Sequence, residues 1–274
     1  MGKPRRRLKP VRYNAGNMIW YRREMNKMIR AMNKEVRGRM VEILSRHEVA
    51  INNDMANDAL NPVQVIKDAF GMLSEKWVKR FAREAFKLAT QMTDKTIKSA
   101  DRGLQATANQ EGFAIRMQWT EAMTQGEDAI IAENVSLIRS IPEKYFTEVE
   151  GMVYRSVARG GDRKQLVDEL MSSFSKREGI TLRRAKNIAN DQVRKATSSL
   201  SAIRQQAAGI THGIWVHSHG GSDPRKLHIK ANGKVFKLSE GLPVGDNNGN
   251  MVKPGEEINC KCTWRPVPPW EKIE

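Results

Sequence analysis

From Met72 to Asp101 the chain contains neither proline nor glycine, and its apolar residues fall on one helical stripe. Ile66, Phe70, Leu73, Trp77, Phe81, Ala85, Leu88 and Met92 recur at steps of three and four, the spacing that keeps side chains on one face of an α-helix. Asn61-Pro62 precedes the stripe as an N-cap and first helical residue. A helix over residues 62–101 is about 60 Å long. That exceeds what a compact domain ordinarily holds. It predicts an extended helical region, or one that packs against partner chains.

The surrounding segments read the same way. From about Ile19 to His47, residues Met25, Met28, Ile29, Met32, Val36, Met40 and Leu44 repeat at helical spacing, with Lys and Arg between them. A methionine-rich stripe suits an adaptable binding surface, but ordinary packing is the simpler use. Residues 103–133 read as further helix with breaks at Gly112 and Gly126. A helix over Tyr145 to Val157 follows Pro142, and Asp162 caps another through Leu166, Leu170 and Phe174. A last helix runs from Thr181 to Ala208 and stops at Gly209.

At Gly209 the composition turns to Gly, Asn, Pro and β-formers. Ile214 to His219 alternates as a strand, as does Ile258 to Trp264. Asn232-Gly233 is a two-residue hairpin signal, and Asp246 to Asn250 and Pro254-Gly255 are turn clusters. The expected fold is mostly α: a long N-terminal helical region followed by a small α+β C-terminal module.

Four of the five histidines (His212, His217, His219 and His228) and both cysteines, Cys260 and Cys262, lie in this last quarter. On a strand, Cys260 and Cys262 would present two thiols on one side, together with Trp264. A disulfide between them would close a very small, strained ring. Asp223-Pro224 reads as the start of a short helix carrying His228. A set of His228, Cys260, Cys262 and His217 (or His219) is a reasonable zinc site, structural in role, since zinc accepts mixed nitrogen and sulfur donors. Reduced, buried thiols beside unrelated histidines are the alternative.

Charge separates the two ends. The formal charge is +16, with 47 basic against 31 acidic residues, and the first 50 residues hold +10 of it. Lys3, Arg5, Arg6, Arg7, Lys9 and Arg12, interrupted by Pro4 and Pro10, form a basic arm over residues 1–12, read as flexible; Arg22 and Arg23 extend the basic character into the first helix. These eight residues are the candidates for contacting phosphates. A solvated tail is the plainer use of the arm. No run of about 20 apolar residues exists, so no transmembrane helix is expected. The N-terminus has no secretory pattern. Two cysteines exclude a disulfide scaffold. Phosphate-loop, dinucleotide, nucleophile-elbow and zinc-protease motifs are all absent, and the acidic residues are too scattered to nominate a catalytic pair, so no enzymatic activity is expected.

Several elements together resemble the phage Mu F-like head morphogenesis family. They are Asn134 to Ile141, Gly160-Gly161 before a helix, and Arg184-Ala185-Lys186-Asn187-Ile188-Ala189-Asn190-Asp191-Gln192. Gly209 to Trp215 follows, then Asp223-Pro224-Arg225-Lys226-Leu227-His228, Gly233, Phe236, Pro254-Gly255 and Asn259-Cys260-Lys261-Cys262. Asn190 stands where the family pattern has arginine, and Lys261 lies inside the Cys-x-Cys pair. The resemblance covers residues 134–266, with helices to 208 and the α+β module over 209–266. That leaves an arm (1–12), a helical region (13–133) and a tail (267–274). It implies a minor head protein of a tailed bacteriophage, a virion component inside the capsid, present in the host cytoplasm during assembly. The implied partners are the portal protein, the major capsid protein and packaged DNA, with no membrane. The family's polar and thiol positions carry over to Asp223, Arg225, His228, Cys260 and Cys262. The related domain also occurs fused to toxin domains; the end at Glu274 implies that none is attached here. Two other functions compete: a metal-dependent nuclease or transferase-like enzyme using the His/Cys cluster, and a host-side regulator that binds nucleic acid.

Overall fold

A computed structural model describes residues 7–52, 62–112, 115, 118–159, 163–220, 224–247 and 249–271. Four long helices come first: α1 (Ala15–Asn52), α2 (Pro62–Gln110), α3 (Glu121–Arg159) and α4 (Arg163–Ala207). The small C-terminal region follows with β1 (His212–Val216), α5 (Lys226–Ala231), β2 (Val235–Lys237), β3 (Leu242–Pro243), β4 (Met251–Val252) and β5 (Thr263–Val267). The expected fold class is therefore the observed one: long N-terminal helices, then a few antiparallel strands. Among the described residues, no helix is long and apolar enough to cross a membrane.

The chain divides into two compact units. Unit 1 comprises residues 1–21, 89–133 and 189–274, and unit 2 comprises 22–88 and 134–188. In unit 2 the α1 stripe is core: Met25, Ile29, Met32 and Val36 are fully buried. The methionines therefore serve packing. Phe70, Trp77, Phe81 and Ala85 of α2 and Ile138, Ile141, Phe146 and Val149 of α3 are buried as well. Inside this apolar core lies a short polar chain. The Tyr145 hydroxyl donates to Asn33 Oδ1 at 2.7 Å, and Asn33 Nδ2 donates to Glu178 Oε2 at 2.6 Å. Burial pushes the Tyr145 hydroxyl well above its ordinary pKa, so it remains a donor. Tyr145→Phe strands the buried Asn33 oxygen. It is expected to cost about 1–3 kcal/mol in chemical denaturation, while Tyr13→Phe, at an exposed ring, changes stability by less than about 0.5 kcal/mol.

Three predicted helix boundaries do not exist. Pro142 lies inside α3, although proline removes a backbone donor and usually ends or kinks a helix. The buried positions Ile138, Ile141, Tyr145, Phe146 and Val149 continue across it at helical spacing, so packing on that face offsets the missing bond. Gly126 is also mid-helix. A Cβ there would stand 2.6 Å from Ile203 Cδ1, so this glycine is where α3 and α4 approach within unit 1. Gly179 lies inside α4, and the segments around Phe174 and after Thr181 are one helix. Gly112 does follow the end of α2, and Gly209 that of α4, both with φ near +80°, the left-handed stop that glycine permits. Asn61 and Asp162, expected as caps, lie outside the described residues.

The C-terminal region of unit 1 packs around a three-stranded antiparallel sheet in the order β2-β1-β5, with β3 and β4 paired separately. Trp215 faces Trp264 across β1 and β5, and Gly213 sits opposite Phe236 on β2. A Cβ on Gly213 would meet the Trp264 ring at 2.7 Å and the Phe236 ring at 3.1 Å, so only glycine lets the two rings close over β1. Asn232-Gly233 is not a hairpin. It ends α5, and Gly233 N–H donates to Trp215 O at 2.8 Å. Strand β1 stops at Val216, short of His219, and β5 starts at Thr263, later than Ile258.

Residues 7–12 are not free. Leu8 is buried in the core of this module. Val11 N–H donates to Trp264 O at 2.9 Å, and Thr263 Oγ1 donates to Val11 O at 2.6 Å. The flexible arm is thus corrected over these residues: Leu8 and Val11, apolar among basic neighbours, fasten it beside β5. Residues 1–6, with Lys3, Arg5 and Arg6, lie outside the described residues.

Candidate functional site

The donor atoms of His228, Cys260 and Cys262 all lie within 4.8 Å of one another. His228 Nδ1 is 3.6 Å from Cys260 Sγ and 3.8 Å from Cys262 Sγ. Each residue reaches the site from a different local structure. His228 is the third residue of α5, and its ring sits edge-on to Trp215, with 5.1 Å between centroids. The expected N-cap of α5, Asp223, lies outside the described residues; Arg225 occupies that place. Cys260 and Cys262 precede β5, in a turn where Cys260 N–H donates to Glu257 O at 2.9 Å. The alternation expected of a strand nevertheless holds from Cys260 through Cys262 to Trp264, all three being buried.

The turn that carries the thiols is pinned at several points. Ser198 Oγ on α4 donates to Pro254 O at 2.7 Å, and Asn259 N–H donates to Asp191 Oδ1 at 2.8 Å. Gly255, with φ of +84°, directs its N–H to Cys260 Sγ at 3.3 Å. The Pro-Gly pair is therefore a device for presenting a backbone donor to sulfur. Lys261, inside the Cys-x-Cys pair, donates to Gly220 O and so ties the turn to the loop after β1.

A second layer surrounds the histidine. Glu257 Oε2 stands 3.0 Å from His228 Nε2 and 3.5 Å from Arg225 Nε. Glu257 Oε1 accepts the Asp246 N–H at 2.6 Å. Arg225 grips the Asp246 carboxylate through Nε at 2.7 Å and Nη2 at 2.6 Å, and its Nη2 also donates to Ile258 O at 3.1 Å. The arginine thus joins the 246 turn to the 257–258 turn. The Glu257 carboxylate thus stands behind the imidazole at ion-pair distance, while Nδ1 on the other side of the ring faces the two sulfurs.

The two thiols behave as one proton-sharing unit. The hydrogen bond from Cys262, with those from His228 and Gly255, draws the Cys260 thiol far below its ordinary pKa, against the effect of burial. Cys262, the donor in that bond and buried beside the negative partner, is pushed far above its own. Burial alone would lower His228, but the Cys260 hydrogen bond and charge and the Glu257 charge outweigh it and raise the imidazole.

His217, the fourth expected donor, does not join the mutually close set. It is buried, and its Nδ1 accepts the His219 N–H at 3.2 Å. That bond uses the Nδ1 lone pair and leaves the proton of the neutral ring on Nε2. Burial and the neighbouring His219 and His228 hold its pKa below the ordinary histidine value. His219 itself is exposed. Glu257 and Asp246 were not legible as site residues, because a single carboxylate near Pro-Gly or in an Asn-rich turn carries no periodic signal. Arg225 carried one only through its spacing from His228.

The candidate phosphate-contacting residues stand apart from this cluster. Lys9, Arg12 and Arg23 are exposed and Arg22 is half-buried. Arg7 lies 3.7 Å from Glu271 and Arg23 lies 3.4 Å from Glu24.

Residues 147–265 match the family described as Phage Mu protein F like protein, which takes in α4, β1, β2 and the whole His/Cys cluster. Over these residues the chain is similar to that family, as its motifs indicate, and the family points to phage head morphogenesis. A Haemophilus influenzae protein described as "Uncharacterized protein" is 24% identical over 269 residues, covering 96% of this chain. This chain spans 56% of that relative's length. No solved structure matches it.

Proposed function

We propose that this Mu F-like chain is a minor head protein of a tailed bacteriophage, acting in capsid assembly at the portal vertex on the inner side of the head. Its partners in this reading are the portal protein, the major capsid protein and packaged DNA. It works by binding and not by catalysis. The observation that carries the proposal is the family match over residues 147–265, which covers the C-terminal module and its cluster. The charge distribution supports the DNA contact: +10 of the +16 lies in the first 50 residues, where Lys9, Arg12 and Arg23 are exposed.

Binding to the DNA backbone releases counterions, so affinity falls with salt and varies little with sequence. The full chain is expected to bind unrelated duplexes alike. Replacing Lys3, Arg5, Arg6, Lys9 and Arg12 by glutamine should flatten the plot of log affinity against log salt by about 0.9 for each phosphate that is no longer neutralised. Fluorescence anisotropy over a salt series measures this. Salt-insensitive binding, or a slope unchanged by the five substitutions, contradicts the DNA contact. Finding the protein in purified particles at low copy number tests the head assignment separately.

A further inference from the structure

We propose that His228 Nδ1, Cys260 Sγ and Cys262 Sγ hold a zinc ion that fastens the C-terminal module together. The site depends on this cluster alone and stands whether or not the chain acts in a phage head. Zinc binds thiolate sulfur at about 2.3 Å and imidazole nitrogen at about 2.0–2.1 Å in a tetrahedral arrangement. Those bond lengths place a sulfur and a nitrogen on the same ion roughly 3.6 Å apart. The two nitrogen–sulfur separations in the cluster are 3.6 and 3.8 Å. Two edges of such a tetrahedron are therefore already in place, and the two sulfurs lie within 4.8 Å of each other.

Three further observations point the same way. Two sulfurs and one imidazole are a donor set that selects zinc over magnesium or calcium, which prefer oxygen. Behind the imidazole, Glu257 Oε2 stands 3.0 Å from Nε2, on the side where metal-bound histidines ordinarily have a carboxylate. Gly255 N–H on Cys260 Sγ supplies a donor that stabilises thiolate charge.

The surroundings indicate what the ion is for. His228, Cys260 and Cys262 are 2%, 4% and 8% exposed, so the ion is screened from bulk solvent. The elements it joins are weak by themselves: α5 has six residues, and β3 and β4 have two each. A metal linking α5 to the turn before β5 replaces the hydrogen-bond ladders that such short elements lack. Binding releases the thiol protons to solvent, so that both sulfurs coordinate as thiolates. The three residues supply three corners, and the fourth takes a further donor. His217 in its observed hydrogen-bonding state does not provide a free lone pair.

The test uses the full chain, purified without chelators. Elemental analysis is expected to give about one zinc per chain. Cys260→Ser and Cys262→Ser should each lose it, whereas Ile258→Ser, at an exposed neighbour of the same turn, should keep it. Because a serine variant could fail to fold, the wild-type chain stripped of metal is also titrated with cobalt(II). A thiolate-to-cobalt charge-transfer band saturating near one equivalent is expected, together with a higher melting temperature once zinc is restored. A folded wild-type chain with only trace zinc and no cobalt–thiolate band overturns the proposal. So does zinc retained by the Cys260→Ser/Cys262→Ser double variant.

Discussion

Trp264→Ala is expected to destabilise the C-terminal module by about 3–5 kcal/mol. The ring is 1% exposed. It stands edge-on to Phe236, with centroids 6.3 Å apart, and is paired with Trp215 on the neighbouring strand β1. Its indole N–H donates to Gln205 Oε1 at 2.9 Å, and Gln205 is itself buried. Truncation removes the apolar area, leaves a cavity and strands the Gln205 oxygen. Trp264→Phe separates these effects: it keeps most of the ring and loses the hydrogen bond, so it should cost nearer 1–3 kcal/mol. Ile258→Ser, at 70% exposure, should stay within about 0.5 kcal/mol of the wild type. Urea denaturation followed by tryptophan fluorescence and by circular dichroism measures all three. A Trp264→Ala loss below about 1 kcal/mol would mean that the core of this module is not organised around the ring.

The same residue shows which parts of the fold were legible in the sequence and which were not. The long helices were, because Met25, Ile29, Met32 and Val36, or Phe70, Trp77 and Phe81, repeat at helical spacing for many turns, and burial follows that repeat. Their boundaries were not. Pro142, Gly126 and Gly179 carry strong local signals for an end, but tertiary packing decides at those points, and the approach of Ile203 to Gly126 cannot be read from neighbours in sequence. The strands were partly legible. Strands of two or three residues give too little alternation to register, and Asn232-Gly233 marks the end of a helix with the same residues that would mark a hairpin. In the site, residue type alone drew attention to His228, Cys260 and Cys262, since histidine and cysteine are scarce here. Glu257 and the Arg225–Asp246 pair depend on loops that meet only after folding; Arg225 and Asp246 are 21 residues apart. Burial also changed the reading of the basic arm: Leu8 and Val11 look incidental among Lys and Arg, yet they decide where residues 7–12 run.

Arg204→Met should be nearly as costly as the loss of Trp264, at about 3 kcal/mol or more. Arg204 is a buried guanidinium, 8% exposed, near the C-terminal end of α4. It engages the Asp101 carboxylate of α2 through two donors, Nε at 2.8 Å and Nη2, and gives Nη1 to Gln118 O at 3.1 Å. All of these residues belong to unit 1. Methionine replaces most of the volume, so the expected loss comes from electrostatics and not from a cavity: a carboxylate only 23% exposed loses its counter-charge, and a carbonyl loses its donor. Lysine does not rescue this, because one ammonium cannot reproduce the two-pronged grip of a guanidinium and also reach Gln118. The double variant Arg204→Met/Asp101→Leu should regain a large part of the loss, since a buried ion pair exchanged for matched apolar side chains is often close to neutral. A double-mutant cycle in urea supplies the discriminating number. A coupling near zero would show that the pair is a bystander. A coupling above about 1 kcal/mol would show that α2 and α4 are locked at this point by charge, next to the helix end from which the sheet and the His/Cys cluster begin.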